Sequence, residues 1–464
     1  MPFGRKIEVK KSKYEIDMCS GSIMDKLISF SLPLMLSGIL QLMFNAVDII
    51  VVGRFSGSEA LAAVGSTTAL ISMFTNLFIG VSLGTSVLTA RFYAAGRDQE
   101  VSETVHTSIM LALLSGILMV FVGLFFSRGA LELMDTPDDV IDLSTLYMKI
   151  YFVGMPFFML YNYGAAVLRA VGDTKRPLFF LIISGVLNAG LNLFLVVVFH
   201  MGVAGVGIAT VISQMVSCVL VLICLYRAES SYQLRLSKLT MKGVYLKQIF
   251  QVGVPAGIQS TVINFSNVLL QSSVNSFGSI AMAGYTAANN LLGFLYASVN
   301  SITQACMSFT SQNYGVGKWK RMDRVLIDCM ILTTGVALVI GGAFYGFGPE
   351  ILKIYTDNEE VVRSGMEILS FTTLTYFLCG LMDLFPGALR GMGHSAVPMI
   401  LSVLGTVGTR VVWIFLIFPQ HRSLDILFIS YPVSWLLTIL MQVICFGFVR
   451  KKVHESLKKT GAAA

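Results

Sequence analysis

Long apolar runs alternate with short polar segments along almost the whole chain. Each run has about 20 residues or more, which is the length that an α-helix needs to cross a bilayer. The pattern therefore predicts an all-α integral membrane protein with twelve transmembrane helices. The predicted segments are residues 27–52, 59–84, 103–127, 143–168, 177–199, 203–226, 246–271, 279–306, 325–347, 362–389, 396–418 and 425–448.

The last six segments repeat the first six. Asn45 and Asn267 are 222 residues apart, and after a slip of one residue an offset of 221 pairs the run LRAVG at 168–172 with LRGMG at 389–393. An even number of helices in each copy makes the copies parallel repeats, related by an axis along the membrane normal. The duplication is typical of secondary transporters, whose substrate site lies between two repeats.

The distribution of Lys and Arg predicts the orientation in the membrane. With the N-terminus inside, 26 of the 33 Lys and Arg residues lie in inside segments, and only 6 lie in outside ones. Basic residues favour the cytoplasmic side, so both termini are predicted to be cytoplasmic. The predicted parts are a cytoplasmic N-terminal segment (1–25), an N-lobe (26–226), a cytoplasmic linker (227–245), a C-lobe (246–449) and a cytoplasmic tail (450–464).

Composition agrees with a membrane protein and narrows the function. Only 13% of the 464 residues are charged, whereas soluble proteins average about 25%. The net charge of +7 follows from the membrane orientation and does not indicate nucleic-acid binding. The sequence has no Walker loop and no HExxH motif. We therefore expect no nucleotide, metal or other cofactor apart from a coupling ion, and we expect that the protein is not an enzyme.

Asp48 is the first candidate functional residue. A carboxylate within a transmembrane helix costs roughly 2.5–3.5 kcal/mol on insertion scales, so it usually faces the protein interior and serves a function. Gln41, Asn45 and Asp48 are spaced so that they share one face of the first helix. Pro33 in the same helix is a candidate hinge. The alternative is a structural carboxylate that hydrogen-bonds to neighbouring helices.

Three neutral polar residues could complete a site around Asp48. Asn188 and Asn192 are four residues apart on one face of the fifth predicted helix, and Thr210 lies in the sixth. If they face Asp48, they form an all-oxygen site that suits a hard monovalent cation or a proton carrier. They could equally be interhelical hydrogen-bonding groups, worth about 0.6 kcal/mol each. The spacing alone does not distinguish the two.

The second half has different polar residues. Its first helix carries no acid, but one face holds the neutral residues Asn264, Asn267 and Gln271, which with Gln41 and Asn45 are candidates to line a substrate cleft. Asp383 is the one acidic residue of the second half that lies deep within a predicted helix. It either forms a local ion pair near Arg390 or takes part in coupling. Arg410 needs a partner or water, and Asp383 is a candidate by depth.

Several of these segments resemble the MATE family of multidrug and toxic-compound exporters. The resemblance is carried by Asn45-Ala-Val-Asp48 after Pro33, by the loop 169–177, by Asn188-Ala-Gly-Leu-Asn192 and by the segment 202–210, and it covers residues 20–450. It implies two six-helix lobes that form a V-shaped central cleft. It also implies antiport driven by H⁺ or Na⁺, a monomer, drug-like substrates and a bacterial cytoplasmic membrane.

Position by position, the resemblance makes Asp48 the helix 1 carboxylate of the family. Asn188, Asn192 and Thr210 match the rest of the N-lobe cation site of DinF-like members, which often have an acid where this chain has Asn192. The helix 7 acid of NorM-like members is absent. A DinF-like protein is therefore expected, with a neutral second ligand at Asn192 and with Asp48 as the main proton carrier.

A flippase for lipid-linked oligosaccharides is the alternative within transport. Such a protein needs a strongly cationic cleft to hold pyrophosphate, and Arg410 is the one basic residue deep in a predicted helix. An intramembrane enzyme would need a clustered nucleophile, base or metal set, and the sequence shows none. The drug exporter is therefore the preferred hypothesis.

Overall fold

The computed structural model describes residues 13–134 and 136–459. The predicted N-terminal segment (1–25) and tail (450–464) lie partly outside these residues. Within them the chain is almost entirely helical. The helices of the first half are α1 (Ile23–Phe55), α2 (Gly57–Ala94), α3 (Asp98–Glu132), α4 (Asp138–Val153), α5 (Met155–Ala170), α6 (Lys175–Leu193) and α7 (Gly202–Tyr226).

The second half repeats this order with more interruptions. Its helices are α8 (Gly243–Asn275), α9 (Ser279–Gly315), α10 (Trp319–Gly346), α11 (Gly348–Leu352), α12 (Glu359–Thr372), α13 (Tyr376–Gly391), α14 (Ala396–Ser402), α15 (Thr409–Val412) and α16 (Leu424–Lys459). Three π-helical segments occur, Phe194–Val198 after α6 and Val403–Gly408 and Trp413–Ile417 on either side of α15.

The predicted all-α membrane architecture is confirmed, and each of the twelve predicted segments coincides with a helix or a bent pair. Among the described residues, eight helices are long and apolar enough to cross a membrane, or ten if each bent pair is one span. The other two predicted segments coincide with α8 and α9, helices of 33 and 37 residues with more polar side chains.

The two bent spans have different causes. The chain turns by 46° between α4 and α5, where Pro156 stands in the first turn of α5. Proline lacks the N–H that would continue the helix, so a bend is expected there. The turn of 50° between α12 and α13 falls at residues 373–375, whereas Pro386 lies inside α13. Only the first bend therefore follows from a proline.

The chain packs as two compact units. Of the described residues, unit 1 comprises 13–17, 44–72, 88–134 and 136–249, and unit 2 comprises 18–43, 73–87 and 250–459. Helix α1 thus contributes its first part to unit 2 and its last part to unit 1. The lobe boundaries at 26–226 and 246–449 are defined by the repeat, and they stay a prediction.

In unit 1, the segment that follows α7 is held against α3. The backbone N–H of Arg235 donates to Nε2 of the buried His106 at 3.0 Å, and Nδ1 of this histidine donates to the Ser102 carbonyl at 2.6 Å. The Glu15 carboxylate accepts from the hydroxyls of Tyr93 (2.6 Å) and Tyr232 (2.8 Å). The predicted linker is therefore an ordered part of unit 1.

In unit 2, glycines allow α8 and part of α2 to pack backbone against backbone. A Cβ on Gly257 would lie 2.4 Å from the Leu77 carbonyl oxygen, and one on Gly253 would lie 2.5 Å from Cα of Val81. These glycines form a G-x-x-x-G pattern, which is known to let membrane helices approach closely. The close approach depends on the missing side chains.

We predict that Gly257→Ala destabilises the protein by about 1–3 kcal/mol, because the added methyl group must push apart two backbones that are already in contact. Thermal unfolding of the purified protein in detergent measures the loss. Gly335→Ala is the matched control, since a Cβ at this position in α10 meets no atom within 4 Å. Equal melting temperatures for the two variants would contradict the prediction.

Candidate functional site

Asp48 lies in the last part of α1, half-buried, and its carboxylate accepts a hydrogen bond from an amide of α6. The donor is Nδ2 of Asn192, a residue with 0% exposure. The same nitrogen also donates to Oδ1 of Asn188 at 3.2 Å, one helical turn earlier. Because an amide nitrogen carries two hydrogens, Asn192 can serve both acceptors at once.

Thr210 of α7 extends this chain of hydrogen bonds to a third helix. Nδ2 of Asn188 lies 3.5 Å from the Thr210 hydroxyl oxygen, at the limit of a hydrogen bond. The hydroxyl itself donates to the Val206 carbonyl at 3.0 Å. The structure therefore brings together the four residues that the sequence analysis grouped as a cation site, all of them in unit 1.

The local sequence of α6 explains why α1 can come so near. A Cβ on Gly185 would lie only 1.9 Å from the Phe44 ring, so any larger residue there would displace this ring of α1. Directly after Asn192 the helix widens into the π-helical segment Phe194–Val198. Such segments are rare and occur frequently at functional sites.

The electrostatic character of the site is a carboxylate among neutral groups. Within the described residues, no Lys or Arg forms an ion pair with Asp48. Oδ1 of Asn192 is buried and has no hydrogen-bond partner. A carboxylate beside an unused carbonyl oxygen can bind a hard cation, or it can take up a proton and donate it to that oxygen.

Two tyrosines near this site were missed in the sequence analysis. Tyr147 and Tyr151 of α4 lie within electrostatic range of Asp48, and their rings are 6.2 Å apart. Their spacing of four residues within an apolar span is the signal that could have found them. In the described part of the chain, no group of three or more His, Cys, Asp or Glu side chains could hold a metal ion.

The candidate cleft residues are dispersed. Gln41 and Asn45 are exposed on α1, and Asn264 is exposed on α8. Gln271 donates from Nε2 to Oδ1 of Asn275 at 2.9 Å, within its own helix. Asn267 alone contacts another candidate residue, because its Oδ1 accepts from Nη1 of Arg410 at 2.8 Å.

Arg410 and Asp383 do not pair. Arg410 donates to Asn267 and, at 3.4 Å, to the Ser266 hydroxyl, and no ion pair with Asp383 occurs among the described residues. Asp383 instead lies within electrostatic range of Arg390, which donates to Oε1 of Gln259 at 2.6 Å. Among the described residues Asp383 forms no ion pair with Arg390 either, so its role stays a prediction.

The family follows from a match to both halves of the chain. The family model MatE matches residues 33–194 and again residues 255–416. The chain belongs to the MatE family. The two matches also confirm the internal repeat, and a multi-pass membrane protein is the form expected for a MatE member with these helices.

Relatives of this MatE chain include proteins named for drug export. It is 29% identical over 437 residues to the probable multidrug resistance protein YoeA of Bacillus subtilis, covering 91% of this chain and 93% of that protein. It is 24% identical over 383 residues to the multidrug export protein MepA of Staphylococcus aureus, covering 82% and 84%.

Solved structures show the same fold. A crystal structure of MATE in complex with MaL6 matches with a TM-score of 0.88 at 20% identity, covering 97% of this chain and all of that chain. An outward-facing multidrug resistance MATE family transporter of the MOP superfamily matches with a TM-score of 0.87 at 19% identity, again over 97% of this chain. At this identity the likeness establishes the fold alone.

We predict that Asn192→Ala lowers the free energy of unfolding by about 1–3 kcal/mol, because it leaves the Asp48 carboxylate without its donor. Thermal unfolding in detergent tests this. Asn162→Ala is the control, since the Asn162 amide donates only to the Phe158 carbonyl of its own helix, at 2.8 Å. The prediction fails if the control variant loses as much stability as Asn192→Ala.

Proposed function

We propose that the protein is a cation-coupled antiporter that exports amphipathic, often cationic compounds by alternating access. The observation that carries the proposal is the Asp48 carboxylate in a membrane helix of a MatE protein, where it accepts a hydrogen bond from the neutral amide of Asn192. The names of YoeA and MepA support multidrug substrates. Site residues for coupling are Asp48, Asn188, Asn192 and Thr210.

The proposed coupling step is the loading and unloading of Asp48. A bound cation or proton neutralises the carboxylate, which changes its hydrogen bonding to Asn192 and hence the packing of α1 against α6. Pro33 in the same helix is the proposed hinge, and the Ser37 hydroxyl donates to its carbonyl at 2.8 Å. One charge that moves through 100 mV releases about 2.3 kcal/mol, enough for a concentration ratio of roughly fifty.

The proposed ion is H⁺, with a DinF-like site in which one ligand is neutral. Hard monovalent cations bind best where carboxylate oxygens are plentiful, and this site has a single carboxylate. Once the Asn192 amide has rotated to present its unused Oδ1, a protonated Asp48 can donate to it, so both protonation states have a hydrogen-bond partner. A carboxylate that has a hydrogen-bond partner both when it is charged and when it is protonated is suited to carry a proton.

The remaining proposals concern the setting of the protein. We place it in a bacterial cytoplasmic membrane with both termini cytoplasmic, because the basic residues favour that orientation. It acts as a monomer on drug-like small molecules. It needs no nucleotide or nucleic acid, and its two lobes are residues 26–226 and 246–449.

We expect Asp48→Asn to abolish gradient-driven efflux of a fluorescent cationic dye from proteoliposomes, because an amide cannot take up the coupling charge. Efflux is measured with an imposed pH gradient and, separately, with an imposed Na⁺ gradient. Asp139→Asn, which neutralises an exposed carboxylate of the same unit, should pump like wild type. Full pumping by Asp48→Asn would rule out the proposed carrier.

We expect Asn192→Asp to shift the driving ion towards Na⁺, because a second carboxylate supplies the oxygen charge that a hard cation prefers. The measurement compares dye efflux under a Na⁺ gradient with efflux under a pH gradient, in wild type and variant. The conservative variant Asn192→Gln serves as the neutral control. An unchanged ion preference in Asn192→Asp would show that Asn192 does not contribute to ion selection.

A further inference from the structure

The repeat relates the Asp48 cluster of unit 1 to the surroundings of Arg410 in unit 2. Asn45 corresponds to Asn267 at the offset of 222, and Thr210 corresponds to Tyr431 at the offset of 221. The same offsets place Leu270 at the position of Asp48, Trp413 at that of Asn192 and Arg410 at that of Ala189. In the second half the acid is therefore replaced by an apolar residue, and a cation is added.

The contacts of Arg410 fall within this corresponding region. Its Nη1 donates to Asn267 and Ser266, and its guanidinium lies over the Tyr431 ring, 4.6 Å from the centroid. The Tyr431 hydroxyl is 3.0 Å from that of Tyr285. The guanidinium is thus held in one orientation by an amide, a hydroxyl and an aromatic face.

The charge of Arg410 has no acidic partner. The residue is only 4% exposed, and within residues 13–134 and 136–459 no carboxylate forms an ion pair with it. Buried charges in proteins are normally paired, since an uncompensated one is strongly destabilising. The aromatic ring and the amide oxygen compensate the charge only in part.

One edge of the guanidinium is unoccupied by protein partners. Nε is buried without a hydrogen-bond partner, and the hydrogen bonds of Arg410 to other described residues all come from Nη1. The N–H groups of Nε and Nη2 point in parallel, and this edge matches the two oxygens of a carboxylate. The groups that are already paired therefore hold the guanidinium in place and leave its Nε without a partner.

The backbone around Arg410 is also unusual. Arg410 lies in α15, a single helical turn between the π-helical segments Val403–Gly408 and Trp413–Ile417. Such segments are frequent at functional sites. Through Asn267, the guanidinium joins the polar face of α8 that also carries Asn264 and Gln271.

We propose that Arg410 forms a binding site in unit 2 for the carboxylate, or a similar oxyanion, of an amphipathic compound. The two halves then carry charge-inverted versions of one site, acidic in unit 1 and basic in unit 2. Binding of the oxyanion does not depend on the proposed function. Export of the compound that carries the oxyanion does rest on the proposed function. If the compound is exported, the substrates include acidic and zwitterionic amphiphiles.

The test is equilibrium dialysis of the purified full-length protein in neutral detergent against three compounds with one ring system, naphthoate, naphthamide and naphthylmethylammonium. Wild type should bind the carboxylate most tightly. Arg410→Met should weaken naphthoate binding by roughly tenfold to hundredfold, the loss expected when hydrogen bonds to a charged group are removed. It should leave naphthamide binding unchanged. Arg410→Lys, which keeps the charge but not the two-pronged edge, should be intermediate.

Arg422→Met is the control for net charge, because it removes an exposed arginine of the same unit. Wild-type protein alone shows whether naphthoate is preferred over naphthamide. The test therefore remains decisive even if the Arg410→Met variant does not fold. Equal affinities for naphthoate and naphthamide would overturn the proposal and leave Arg410 a structural residue. A carboxylate preference that persists in a folded Arg410→Met would overturn it as well.

Two further measurements distinguish the oxyanion site from the proposed ion coupling and identify the source of the oxyanion. Asp48→Asn should retain naphthoate binding, so failure of the proposed ion coupling and failure of the oxyanion site are distinguishable. Phosphatidylglycerol added to the micelles should displace naphthoate if a lipid headgroup is the natural source of the oxyanion. If it does not displace naphthoate, a soluble compound is the source. Either result supports the site.

Discussion

A polar group inside a bilayer must find its partner within the protein, because hydrocarbon offers none. Nearly every feature of this chain follows from that constraint. The backbone satisfies it by forming helices throughout the described residues, and hydroxyls such as that of Thr210 satisfy it by bonding to a carbonyl of their own helix. Asp48 and Arg410 satisfy it incompletely, because each has neutral partners and no opposite charge. These two exceptions are where exchangeable ligands are most expected.

Duplication and divergence together account for the two halves. The helices recur in the same order, with more interruptions in the second half, and Asn45 has its counterpart in Asn267. The chemistry of the two copies differs at corresponding places, where Asp48 is matched by Leu270 and Ala189 by Arg410. Because the helical framework is held by apolar packing and close glycine contacts, such substitutions can alter charge without altering the fold.

Much of the fold and of the first site could be predicted because membrane helices obey strong length and spacing rules. Apolar runs located all twelve segments, and the spacing of Asn188 and Asn192 placed them on one face of a helix. That this face meets Asp48 is seen only in the structure. The partner of Arg410 could not be predicted in the same way. Depth in the membrane suggested Asp383, but the flanking π-helical segments change the rotation of the helix, and Arg410 faces Asn267 instead. The bend at residues 373–375 likewise could not be predicted from the sequence, because no proline lies there.

The membership of α1 in both units has a consequence for synthesis of the chain. Residues 18–43 pack in unit 2, where Phe30 meets Phe309 with ring centroids 5.7 Å apart and Gly38 lies against Ala297. These partners leave the ribosome more than 200 residues after α1, which at about 5–20 residues per second is a delay of roughly 10–50 s. During that time residues 18–43 of α1 are without these native neighbours, whereas the last part of the helix can already contact α6. The first part of α1 therefore completes its native packing only after the second half of the chain has been synthesised.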